Sequence, residues 1–197
     1  MFVQIIEGRV SDPDTLKRQI DRWEAELRPG ATGHLGATGG VAADGRAVLL
    51  ARFESAAAAE ANSKRPEQGE WWAETEKCFD GDVGFADSDD VDVWLGGGSD
   101  DAGFVQIMKG SGDRDRAREM DALLTERMAD YRPDVLGGFR VWTGPDTAVE
   151  VAYFESEEAA RAGEKKEPPP DLAAAMAELG DDAADVDYID LTDPWLY

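Results

Sequence analysis

FVQIIEG fills residues 2–8, and FVQIMKG fills residues 104–110. Each phrase has the apolar, β-branched makeup of a short strand closed by glycine. The pair is the first of several repeats. ARFESAAAAE (51–60) recurs as AYFESEEAAR (152–161), and LRPGATGHLG (27–36) recurs, with a three-residue insertion in the first copy, as YRPDVLGG (131–138). GDVGFAD (81–87) recurs as ADVDYID (184–190), and Trp94-Leu95 recurs as Trp195-Leu196. The matches keep one order at offsets between 101 and 104, which a tandem duplication produces and chance does not. The reading divides the chain into a first repeat at 1–95, a linker at 96–103 with the flexible composition GGGSDDAG, and a second repeat at 104–197.

Within a repeat the periodicity alternates. After the first strand, DPDTLKRQIDRWEAELRPG (12–30) opens with an aspartate cap and proline, and sets Leu16, Ile20, Trp23 and Leu27 on one helical face before Pro-Gly stops it. Residues 34–55 read as two strands joined at the Asp-Gly turn of ADGR. Residues 55–79 read as a helix opened by Ser55 and broken near Pro66, and a last strand and an extended arm carrying Trp94 follow. The order β-α-β-β-α-β is that of a ferredoxin-like domain. The expected fold class is α+β: two ferredoxin-like repeats packed sheet to sheet as a pseudo-dimeric α+β barrel, the second copy covering the face that helices leave bare.

The 197 residues suffice for two small domains. With 42% apolar residues, 32% charged residues and a mean hydropathy of −0.47, the composition is that of a soluble globular chain. No apolar run reaches the length of a membrane span, and the amino terminus lacks the pattern of a secretory signal, so a cytoplasmic protein is expected. A formal charge of −23 repels phosphate backbones and anionic lipid, so neither nucleic acid nor membrane is an expected partner. A small molecule is the expected ligand, and a monomer acting as its own pseudo-dimer is the expected state. The lone Cys78 reads as a buried structural thiol. Carboxylate runs such as DSDDVD (87–92) lack imidazole partners, so no metal site is expected.

ARFESAAAAEANSKRPEQGEWW followed by CFDGDVGF resembles the second half of antibiotic biosynthesis monooxygenase-like domains of the dimeric α+β barrel superfamily. The resemblance spans both copies and implies a pocket in each, between sheet and helices. In the oxygenase branch an electron-rich phenolic or anthrone-like substrate loses a proton there and reacts directly with oxygen, with no cofactor. The haem-degrading branch uses a histidine on or after the second helix; residues 71–85 contain none, so haem is not expected. A non-catalytic ligand-binding or stress-related protein is the alternative.

Five residues are the candidates, weighed against plainer roles. Asn62, on the second helix, could donate to a substrate oxygen as the oxygenase branch's asparagine does; it could equally be an exposed residue ahead of Pro66. Trp71 and Trp72 point about 100° apart on a helix. Trp72 shares a face with Phe79 and belongs to the core, which makes Trp71 the better pocket wall, and both are kept as substrate-binding candidates. His34 is the only histidine and hence the only side chain whose ordinary pKa suits proton transfer near neutrality; a plainer role is a structural strand-edge residue. Arg52 could pair with an enolate or simply face solvent. The counterparts of Asn62, Trp71, Trp72, His34 and Arg52 are Gly163, Asp171, Leu172, Val135 and Tyr153, with Arg140 and Trp142 as further sheet-borne candidates in the second copy. The expected site, with Asn62 and His34 catalytic and Trp71, Arg52 and Trp72 at the substrate, therefore lies in the first copy.

Overall fold

The computed structural model describes residues 1–179 and 186–197. Ala184 and Asp185, which begin the last repeated phrase, lie outside the described residues. The chain forms two compact units, Met1–Asp90 with Asp193–Tyr197, and Val91–Thr192.

In the first unit, β1 (Phe2–Arg9) leads to α1 (Pro13–Arg22), with Asp12 accepting from the Thr15 amide at 3.0 Å as the N-cap. The helix does not end at Arg22. It widens into a π-helical turn over Trp23–Leu27 and tightens to a 3-10 turn over Arg28–Gly30. Leu16, Ile20, Trp23 and Leu27 are all buried, so the expected stripe is the core face. β2 (His34–Val41) and β3 (Arg46–Phe53) form the expected hairpin, where Asp44 accepts from the Arg46 amide at 3.0 Å. α2 (Ala56–Ser63) is capped by Ser55; Pro66, without an N–H, restarts the chain as α3 (Pro66–Thr75), and β4 (Gly84–Ser88) follows.

The second unit repeats the plan with β6 (Phe104–Ser111), α4 (Arg114–Tyr131), β7 (Val135–Trp142), β8 (Thr147–Phe154), α5 (Glu157–Gly163), α6 (Pro170–Leu179) and β9 (Asp187–Leu191). Here α4 is α-helical throughout its 18 residues, with no π turn. Both units are thus ferredoxin-like α+β domains, each with a five-stranded antiparallel sheet.

The arms depart from the expected boundaries at 95 and 104. β5 (Val91–Trp94) pairs with β7, and β10 (Trp195–Leu196) pairs with β2, so each edge strand comes from the other repeat. Nor are Trp94 and Trp195 structural counterparts. Ile6, Leu49 and Gly39 stand in one register row, as do Met108, Glu150 and Arg140. Trp195 faces Gly39, whereas Asp92 faces Arg140. Trp94 faces Gly138, the position that in the first unit is Ala37, which exchanges two hydrogen bonds of 2.7 and 3.0 Å with Tyr197. The two arms are therefore slipped by two residues, and Tyr197 is the counterpart of Trp94. A matching dipeptide cannot reveal this, because pairing register depends on the partner strand.

No helix among the described residues is long and apolar enough to cross a membrane.

Candidate functional site

Between the sheet and helices of the first unit lies a cavity with about 580 Å³ of empty space, counting its solvent-open mouth. Its floor is Gln4 and Ile6 of β1, Ala37 and Gly39 of β2, and Leu49 and Phe53 of β3. The helices contribute Ile20, Trp23, Glu24, Asn62, Gln68 and Trp71, and the arm contributes Trp195 and Tyr197. The walls are mostly aromatic and aliphatic, as small-molecule sites usually are.

His34 reaches this cavity through a β-bulge. His34 is in register with Phe53 and Gly36 with Arg52, so two residues of β2 are spent against one of β3. Ala37 and Gly39 face the helices; simple alternation would turn His34 the other way, and the extra residue Leu35 turns it back. Gly36, at φ +142°, makes the bend, and a Cβ there would meet Arg52 Nη2 at 2.5 Å and the Tyr197 carbonyl at 2.6 Å. The imidazole packs edge-on to Trp23 (4.8 Å between centroids) and Phe53 (5.3 Å). Both ring nitrogens are buried without a hydrogen-bond partner among the described residues. Burial, then the Arg28 and Arg52 charges, lower its pKa to about 4, so the ring is neutral at physiological pH.

Asn62 is buried, at 7% exposure, not an exposed residue ahead of a breaker. Its Oδ1 accepts from Arg65 Nη1 at 2.9 Å, and the same nitrogen donates to the Leu27 carbonyl at 3.0 Å. Because guanidinium only donates, the amide is held with its NH2 as the group it can offer the cavity. Trp71 is deeply buried and donates its indole N–H to the Gln19 carbonyl at 2.8 Å; Trp23 donates to Gln68 Oε1 at 2.6 Å.

Two expected substrate contacts are placed elsewhere. Trp72 is half-buried beside Phe79 and Phe85 and lies outside the cavity lining, because its neighbour Trp71 takes the inward helical position. Arg52 alternates with Ala51 and Phe53 and so projects from the opposite sheet face; its charge still acts on His34. Cys78 is half-buried against the core, its thiol pushed up by burial, rather than fully enclosed.

Glu24 escaped the sequence reading because Glu24 and Arg28 look like an exposed i,i+4 pair. The π turn instead brings Glu24 to the cavity with its side chain 11% exposed. Oε2 lies 3.4 Å from Arg28 Nε, while Oε1 is buried without a partner among the described residues. Burial raises its pKa, and Arg28 opposes the rise. π turns recur at functional sites.

The second unit fills the same positions. Where the first has Ile20, Gly39 and Leu49, the second has Asp121, Arg140 and Glu150, joined by Arg140 bonds of 2.6 Å to Asp121 and 2.7 Å to Glu150. Trp94 packs with Phe104, Ala152 and Phe154. Gly163 replaces Asn62, and a Cβ there would lie 2.2 Å from Arg132 Nε. Trp142 donates to Asp92 at 2.7 Å, and Tyr153 is fully buried. Among the described residues no group of three or more His, Cys, Asp or Glu side chains is arranged to hold a metal ion.

No protein-family model matches the chain, and no curated protein matches it. Solved structures do. A candidate monooxygenase from Lactobacillus acidophilus NCFM is 13% identical with a TM-score of 0.72, over 100% of this chain and 98% of that one. A candidate monooxygenase from Fusobacterium nucleatum is 10% identical with a TM-score of 0.74, over 96% and 90%. An anthrone oxidase-like protein is 10% identical with a TM-score of 0.65, over 99% and 92%. At such identities the likeness is one of fold. The chain shares with these structures a fold of two ferredoxin-like α+β domains in one chain.

Proposed function

We propose that the chain is a monooxygenase-like enzyme whose first unit binds a hydroxylated aromatic or quinol-type metabolite and oxidises it with molecular oxygen without a cofactor. The observation that carries this reading is His34: two buried ring nitrogens, without a partner among the described residues, in an aromatic-walled cavity. Buried polar atoms are nearly always satisfied, so such a pair calls for a ligand. The names of the fold neighbours point the same way.

Neutral His34 accepts the proton of an acidic O–H or activated C–H, and the Asn62 NH2 donates to the oxygen on which negative charge gathers. The electron-rich anion then reduces oxygen and captures it. For a ring CH2 flanked by a carbonyl-bearing aromatic system, one oxygen atom enters the product as C=O and the other leaves as water, with both hydrogens lost from the carbon. The apolar walls keep water from the anion.

The weak basicity of His34 favours a second reading, ligand binding without chemistry. Oxygen consumption with anthrone and hydroquinone as probes decides between them. Uptake above buffer that falls at least tenfold in His34→Ala supports the enzyme; binding with uptake equal to buffer supports the carrier.

A further inference from the structure

We propose that Glu24 is a specificity-determining residue of the cavity, its Oε1 accepting a hydrogen bond from a ring hydroxyl of the bound molecule and so selecting hydroxylated rings over their methyl ethers. This deepens the function proposed above and rests on its reading of the cavity as a ligand site.

Several polar groups around the cavity are already engaged: Trp23 and Trp71 donate to Gln68 and the Gln19 carbonyl, and Asn62 Oδ1 accepts from Arg65, which leaves the Asn62 NH2 to the cavity. Glu24 Oε1 and the two nitrogens of His34 make no hydrogen bond among the described residues. A neutral imidazole has one donor and one acceptor nitrogen, and Glu24 Oε1, with Arg28 beside the other oxygen, is an acceptor. Two acceptors and, with the Asn62 NH2, two donor groups thus await a molecule, which suits a ring carrying hydroxyl groups. A methyl ether or hydrocarbon would leave the carboxylate oxygen buried and unpaired, the situation in which polar sites discriminate most sharply. The copies also differ in the residue itself: α4 carries Thr125 at the position of Glu24, and Asp121, at the position of Ile20, is consumed by Arg140.

Arg28 makes the inference testable in sign as well as size. A guanidinium has no acceptor, so in Glu24→Gln the amide oxygen turns to Arg28 and the NH2 faces the cavity. The acceptor there becomes a donor. The experiment titrates the full-length protein with phenol, anisole and toluene, the last as a control for size, following the indole N–H resonances of Trp23, Trp71 and Trp195 by NMR. Wild type should bind phenol about tenfold or more tightly than anisole, and Glu24→Gln should lose or invert that preference. If wild type prefers phenol and Glu24→Gln keeps the preference, or if wild type binds all three alike, the role of Glu24 is overturned while the ligand site stands. If none of the three shifts these resonances, the site reading falls, and Glu24 with it. Should Glu24→Gln not fold, Glu24→Asp withdraws the carboxylate and should weaken phenol several-fold without changing anisole; unchanged phenol affinity overturns the proposal.

Discussion

Arg140 donates to Glu150 at 2.7 Å across β7 and β8, in the register row where Gly39 lies opposite Leu49 in the first unit. One copy has an apolar floor and an open space, and the other has an ion pair extended to Asp121. Burial pushes the Glu150 carboxyl up and Arg140 holds it back, so the two groups depend on each other. Arg140→Ala should therefore destabilise the second unit by about 3–5 kcal/mol, because it strands two buried carboxylates. The triple change Asp121→Ile, Arg140→Gly, Glu150→Leu removes the whole network and should be neutral or stabilising by about 1–4 kcal/mol. Urea unfolding of both variants checks the contrast; a triple variant weaker than Arg140→Ala would contradict it.

His34 gives the first unit a pH dependence of defined sign. Its folded pKa, about 4, lies below the ordinary 6.5, so the unfolded chain binds the proton more readily. Stability from this group is complete above about pH 6.5 and declines as pH falls toward 4. Arg28 and Arg52 oppose the charged ring, and Glu24 is the carboxyl on the same cavity. Allowing for solvent screening of a partly open site, the loss should be about 1–2 kcal/mol, and His34→Phe should remove it. Denaturant melts at pH 7, 5.5 and 4 measure the difference.

Trp195 closes the cavity from an arm held by two strand residues and the Tyr197 contacts with Lys17 at 2.9 Å, Asp21 at 2.5 Å and Ala37. Trp195→Ala should cost up to about 3–5 kcal/mol, limited by the free energy of docking the arm itself. Hydrogen exchange should quicken at the Ala37 amide, which donates to Tyr197, while the β1–β3 ladder stays protected. Uniform loss of protection across the sheet would mean that the arm is not a separable element.

Arg65 fastens the π turn to α2 by bonding Leu27 and Asn62 together. Arg65→Ala should cost about 1–3 kcal/mol and free the Asn62 amide to rotate. Ligand affinity should fall further than in Lys64→Ala, whose side chain forms an exposed pair with Glu60. Calorimetric titration with phenol, beside thermal melts of both variants, tests this.

The β-α-β-β-α-β order and the helix stripes are legible because they rest on local periodicity, whereas the arm that each unit takes from the other repeat is not. Leu16, Ile20, Trp23 and Leu27 share a face whatever surrounds them, and Ser55 and Pro66 mark helix ends by their own chemistry. Features that depend on counting residues against a partner strand were not legible. The bulge at Leu35 reverses the facing of His34, and the two-residue slip separates Trp94 from Trp195. Glu24 was hidden differently: its partner Arg28 stands at ordinary α-helical spacing, and nothing in WEAEL announces a π turn. Arg52 is assigned to the substrate on its charge alone, and strand alternation places it off the cavity; Trp72, whose spacing from Phe79 already argues for the core, packs beside Phe79.

The swapped edge strands bear on how such a chain can evolve. A duplicated gene invites fission back into two genes, but a break at the 96–103 joint would leave the first product without Trp195 and Tyr197. Those residues are encoded at the far end of the second copy, so a frameshift or early stop there would open the first copy's cavity while every helix around it was still translated. The two copies are bound to a single reading frame by a strand of two residues.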